Sequence, residues 1–170
     1  MKAWIYPLEK IVLGDVSIAF GMTKKEVERL LGFATSIGER HYYFGAELAI
    51  SYDKHETVEF VEFLGGREGT LRPMIYGVSA FDENAEALMA LLIEKNHGDI
   101  GDHENGHSYQ FMNLSIGIYR EMTPRDVEEM IAEMKAHGIP TEQNPDLEVD
   151  KEKALHFATV GAGACGYYQR

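Results

Sequence analysis

Residues 103 to 107 read His-Glu-Asn-Gly-His, a match to H-E-x-x-H, the spacing with which zinc hydrolases hold their metal. On a helix, positions i and i+4 share one face, so two imidazoles ligate one ion while the glutamate polarises the bound water. The surrounding stretch, HGDIGDHENGH (97–107), opposes that helix. Gly98, Gly101 and Gly106 interrupt it, Asn105 sits inside the motif, and no apolar periodicity would dock it on a core. The expectation is a polar loop with no metal. The alternative is a small hydrolase using this His-rich loop, with or without a metal held by His97, Asp99, Asp102, His103 and His107.

Other patterns invite chemistry and do not sustain it. GAGACG (161–166) fits G-x-G-x-x-G, but only YYQR follows, so no helix can carry a pyrophosphate at its N-terminus. A small-residue strand or bulge passing close to another backbone accounts better for those glycines. Cys165 has no neighbouring base in sequence, although His41 or His156 could approach it in space. Glu59 and Glu62 fall on opposite faces of one strand and are no acid–base pair. The expectation is a non-enzyme without cofactor.

Three helices and several strands would position these residues. GMTKKEVERLLG (21–32) carries a capping box in Thr23 and Glu26, a stripe of Val27, Leu30 and Leu31, and a stop at Gly32. YYF (42–44), ELAISYD (47–53) and TVEFVEFL (57–64) read as an antiparallel meander. PMIYGV (73–78) suggests a strand, with Ser79 or Asp82 capping a helix that runs to about Asn96. SYQF (108–111) and SIGIYR (115–120) form a hairpin. Thr123, Pro124 and Gly138 bracket a third helix. Residues 139–153 read as a loop, and HFATV (156–160) as the last strand. The helix starts at Met22-Thr23 and Met122-Thr123 share their spelling, through duplication or through capping chemistry alone.

The chain has 170 residues, 45% of them hydrophobic, and a net charge of −12. That size fits one domain, or two half-sized repeats (1–69 and 70–170) sharing a core. The apolar runs are too short to span a bilayer, and MKAWIYPLEK does not open as a secretory signal. With no second cysteine to form a disulfide, the expected compartment is the cytoplasm. The charge is uneven: residues 82–104 hold seven acids against Lys95, and 121–152 hold ten against three bases. Such a field repels nucleic acid and anionic membranes and speeds encounter with a basic protein. The partner-binding candidates are Asp99, Asp102 and Glu104 in one acidic segment and Glu142, Asp146 and Glu148 in the other.

GMTKKEVERLLG followed by YYF, LAISYD and TVEF resembles the helix-and-sheet repeat of the β-lactamase-inhibitor-protein-like fold. The likeness covers residues 18–64, with the remainder as a degenerate second copy. Phe33 stands where that pattern often has proline, and no lipid-anchor cysteine lies near the N-terminus, unlike the related lipoproteins. The acidic chain also resembles small bacterial immunity proteins encoded beside polymorphic toxins. The resemblance implies an α+β fold with antiparallel sheets and about three helices packed on one face. It also implies a bacterial immunity or inhibitor protein that masks the active site of a basic toxin such as a nuclease.

Overall fold

In the computed structural model, which describes residues 1–169, the chain begins with a three-stranded meander: β1 (Lys2–Tyr6), β2 (Lys10–Leu13) and β3 (Val16–Ala19). Along β1, Ala3 and Ile5 are buried while Lys2, Trp4 and Tyr6 are exposed, the period-two pattern of a strand with one wet face. This meander carries little sequence signal, because β2 and β3 are only four residues each.

Helix α1 (Lys24–Leu31) starts where its capping chemistry requires. Thr23 Oγ1 accepts from the Glu26 amide, and Glu26 Oε2 accepts from the Thr23 amide at 2.8 Å. Strands β4 (Thr35–Ile37), β5 (Arg40–Tyr43), β6 (Leu48–Tyr52) and β7 (Val58–Phe63) follow as an antiparallel meander, of which β5–β7 were expected and β4 was not.

The chain then returns to the first sheet. β8 (Arg72–Ile75) pairs parallel with β1, and β9 (Val78–Ser79) completes the five-stranded order β3-β2-β1-β8-β9. Tyr76 and Gly77 both have positive φ, so the single strand expected across 74–78 is a two-residue hairpin instead. Helix α2 (Ala85–Asn96) is capped by Asn84 rather than by Ser79 or Asp82. Those two residues bond to each other in a turn just upstream, with Ser79 Oγ donating to Asp82 Oδ2 at 2.7 Å.

β10 (Ile100–Asp102), β11 (Ser108–Phe111) and β12 (Ile116–Tyr119) form a second meander. Helix α3 (Pro124–Ala136) begins with a second capping box, between Thr123 and Asp126. The region read as a loop contains a fourth helix, α4 (Pro145–Ala154), started by Asn144 as N-cap with Pro145 behind it. Its acids had suggested a solvated connection, but Asp146 and Glu148 lie in its first turn, where negative charge suits the helix dipole. The last strand, β13 (Thr159–Gly163), starts three residues later than expected and runs through the glycines, and a 3-10 turn (Tyr167–Gln169) ends the described chain.

β13 joins the two meanders into one antiparallel sheet, β10-β11-β12-β13-β7-β6-β5-β4. The architecture is α+β. Each half of the chain runs strands of the small sheet, a helix, then a meander of the large one. By this order α1 corresponds to α2, so the shared spelling at Thr23 and Thr123 starts helices in unlike places.

One face of the large sheet supplies Leu48, Ile50, Val61, Phe63, Ile116, Ile118 and Val160 to the main core. The small sheet adds Ala3, Ile5, Ile11 and Ile18, and the helices add Val27, Leu88 and Leu92. α3 and α4 pack on each other around a separate cluster of Val127, Leu147 and Ala154.

Leu30, read as a core residue of α1, is 45% exposed; Val27 carries the burial instead. Truncating Leu88, which is fully buried, should cost about 2–5 kcal/mol in urea unfolding, whereas Leu30→Ala should cost less than about 1 kcal/mol. Thr23→Ala should fall between them at roughly 0.5–2 kcal/mol through loss of the cap. Equal losses at Leu30 and Leu88 would contradict this packing.

Candidate functional site

The H-E-x-x-H letters fold as the turn between β10 and β11. Asn105 and Gly106 both have positive φ, and the His107 amide donates to Glu104 O at 3.1 Å, the two-residue hairpin turn for which Asn-Gly is suited. Asp102 Oδ1 accepts from the Gly106 amide at 3.0 Å and tightens the bend. His107 is committed on both nitrogens: Nδ1 lies 3.2 Å from Arg120 O and Nε2 lies 3.1 Å from Asp126 Oδ2. His97 is the left-handed C-cap of α2. Among the described residues, no group of three or more His, Cys, Asp or Glu side chains is arranged to hold a metal ion.

All six acids expected to bind a partner are exposed, but they fall into two places. Asp99, Asp102 and Glu104 belong to the β10 edge and its turn, which packs against the start of α3 through the His107–Asp126 contact. Glu142 follows the far end of α3, and Asp146 and Glu148 open α4, with Glu148 paired to Lys151 at 2.6 Å. Thirteen residues of helix separate the two sets, a distance of roughly 20 Å at 1.5 Å per residue. Among the described residues, no hydrogen bond or ion pair joins one set to the other.

A pair that sequence reasoning missed lies across the β4–β5 hairpin. Ser36 Oγ is 2.7 Å from His41 Nδ1, within the reach of a nucleophile and its base. Burial and the Lys24 charge hold His41 below its ordinary range, which favours the uncharged ring. A polar cleft of about 760 Å³ adjoins it, lined by Lys24, His41, Tyr52 and Glu59 among others. Ser36 sits within a strand, however, without the sharp strand-to-helix turn that sets an oxyanion hole beside a serine. The bond ties two neighbouring strands together.

The broadest feature is the face of the large sheet turned away from the core. Strand registers place one row of residues straight across it: Thr35, Tyr42, Ala49, Glu62, Gly161, Gly117, Gln110 and Gly101. The glycines at its centre make room for aromatic rings. A Cβ on Gly161 would strike the Phe60 ring, and one on Gly117 would strike the Tyr168 hydroxyl. Phe60 stacks on Tyr167 at 4.5 Å between centroids, with Tyr168 edge-on to both. The approach expected for GAGACG is thus real but is made by rings, because the C-terminal turn folds back over the strand.

Two acceptors flank the glycine floor. Gln110 donates to Ser108 Oγ at 3.1 Å, yet its Oε1 is buried without a hydrogen-bond partner among the described residues. Glu62 lies 2.9 Å from the Arg40 guanidinium, and burial raises its carboxyl above the ordinary range against the pull of that charge. Tyr119 and Ile37 extend the face on either side and are exposed. Comparison with protein-family models, with curated proteins and with solved structures finds no match for this chain.

The raised Glu62 carboxyl has a stability signature. The folded state holds this proton more tightly than the unfolded chain, so its contribution favours folding at low pH and is lost as pH rises through the carboxylate range. Glu47 has the opposite sign. Backbone bonds from Leu71 and Thr70 hold it low, so its contribution is present at neutral pH and lost on acidification. Glu62→Gln should therefore gain stability relative to the parent as pH rises from 4 to 7, and Glu47→Gln should lose it. Denaturant midpoints across that range check both, and slopes of the same sign would contradict the assignment.

Proposed function

We propose that this chain is a protein-binding inhibitor, an immunity protein that neutralises a basic toxin such as a nuclease in the bacterial cytoplasm by masking its active site. The observation that carries the reading is the open face of the large sheet. Eight strands at about 4.8 Å spacing make a platform roughly 35 Å wide, enough for the ~800 Å² per partner of a standard interface. Its centre carries a cluster of aromatic rings, the residue type interface centres favour, where the C-terminal turn packs Tyr167 and Tyr168 on Phe60.

The acids contribute differently from the rings. Asp99, Asp102 and Glu104 rim the β10 end of the platform, while Glu142, Asp146 and Glu148 lie about 20 Å away, beyond α3. Exposed charges at such separations steer an approaching cationic surface more than they hold it once bound. Among the described residues no helix is long and apolar enough to cross a membrane, which is compatible with a protein that meets its target in solution. The hydrolase reading has no comparable support, since His107 is occupied by Arg120 and Asp126.

The test measures association with a cationic toxin nuclease domain by stopped flow. Asp99→Lys with Glu104→Lys, and separately Glu142→Lys with Glu148→Lys, should slow association while leaving dissociation nearly unchanged. Tyr119→Ala, on the open face, should speed dissociation instead. Rising salt should slow the parent protein. Association indifferent to salt, or a nuclease still fully active when bound, would defeat the proposal.

A further inference from the structure

The large sheet has two edges, and they are built differently. The β10 edge carries Asp99, Asp102 and Glu104 in and around a three-residue strand. Charges so placed discourage another strand from adding there. The β4 edge has no such guard. Thr35, Ser36 and Ile37 are all exposed and uncharged. Phe33, two residues ahead, is 92% exposed, and Ile37 is 67% exposed. Beside them runs a groove of about 410 Å³ lined by Leu31, Phe33, Ile37, Tyr42 and Phe44 among others. An open edge with apolar residues at its seam is a template for strand addition.

We propose that the β4 edge pairs with the β4 edge of a second copy, forming a two-fold dimer with a continuous sixteen-stranded sheet. Two features select a second copy over another partner. The first is charge: residues 33–46 contain one acid, Glu39, and one arginine, Arg40, in a chain of net charge −12. Two copies can meet at this neutral stretch without the repulsion they would feel elsewhere, and a basic partner would be drawn to the acids instead.

The second feature is geometry. An antiparallel strand is complementary to itself across a two-fold axis, with Ser36 opposite Ser36 and Thr35 of each copy opposite Ile37 of the other. Phe33 and Ile37 leave roughly 300 Å² of apolar surface bare per copy, taking an aromatic side chain as about 200 Å². Doubled by the two-fold and joined by Phe44 and the strand backbones, this approaches the ~1,200 Å² of a small stable interface. The open faces of both sheets then lie on one side, so the dimer takes up only the β4 end of the proposed inhibitor surface, at Thr35 and Ile37, and keeps the remainder available.

Sedimentation equilibrium of the full chain, from low to high micromolar concentration, tests this directly. The parent protein should be a concentration-dependent dimer. Ile37→Lys and Phe33→Ser should each weaken dimerisation on the order of 30-fold, as expected for a residue at the centre of an interface. Both residues are exposed in the monomer, so unfolding midpoints measured at dilute concentration should match the parent. Ser36→Cys in a Cys165→Ser background should form an intermolecular disulfide on mild oxidation, because residues opposite one another on antiparallel strands have Cα atoms about 4.5–5.5 Å apart. Ile100→Cys, at the guarded edge, should not. A monomer at every concentration, a dimer unaffected by Ile37→Lys, or cross-linking through residue 100 would each overturn the proposal. Nuclease inhibition is a separate readout, so its failure would leave this test intact.

Discussion

The insertion of β13 between β12 and β7 holds the molecule together. Without it, β4–β7 and β10–β12 are two separate meanders, each with an additional edge. Val160 and Ala162 of β13 face the core between Val61 and Phe63 on one side and Ile116 and Ile118 on the other. Gly161 and Gly163 face outward, where Phe60 and Tyr167 leave no room for a Cβ. One five-residue strand therefore closes the core and shapes the open face. The pairing it makes is distant in sequence, since β7 ends at residue 63 and β13 begins at residue 159. Such a contact carries a loop-closure cost that the local hairpins do not, the kind of non-local pairing that slows folding.

Between those partners the chain inserts α3 and α4, and Arg120 anchors the insertion. It is 5% exposed, donates to Gly106 O at 3.0 Å and to Ala154 O at 3.3 Å, approaches Glu86 at 3.4 Å, and lies over the Phe157 ring. The β10–β11 turn, the start of α2 and the end of α4 thus converge on one guanidinium. A buried cation needs that many acceptors. The arrangement also explains why His107 serves structure: the turn carrying it is held between Arg120 and the α3 capping box.

Local chemistry was the legible part of the sequence. The Thr23 capping box, the Thr123 cap, the β5–β7 meander and the β11–β12 hairpin follow from residues a few positions apart, and they formed as read, whereas β4 was not read. Helix α4 was misread because its acids were weighed as a solvated run, while Asn144 and Pro145, a standard helix start, were passed over. Residues 74–78 were misread for a related reason: alternation suggested one strand, and the tolerance of Gly77 for positive φ turned it. The glycine-floored face was beyond reach. It depends on register across eight strands and on a C-terminal turn folding back, neither of which leaves a local trace.

The acids beside β10 show how one feature can satisfy two demands. As a guard, they keep a sheet edge from adding strands indiscriminately. As a rim, they project negative potential from the end of the platform toward solvent. The two roles do not compete, because both require exposure and neither requires a fixed hydrogen bond. Asp102 is the exception, since its contact with the Gly106 amide fixes the turn. Charge at this edge is therefore weak evidence for binding when taken alone, since edge protection would select it in any sheet of this kind. The open face is better evidence. A sheet face covered only at its centre, by the C-terminal turn, could have been made uniformly polar elsewhere at no cost to the core. Here it instead holds stacked aromatics at its centre and exposed Tyr119 and Ile37 to either side.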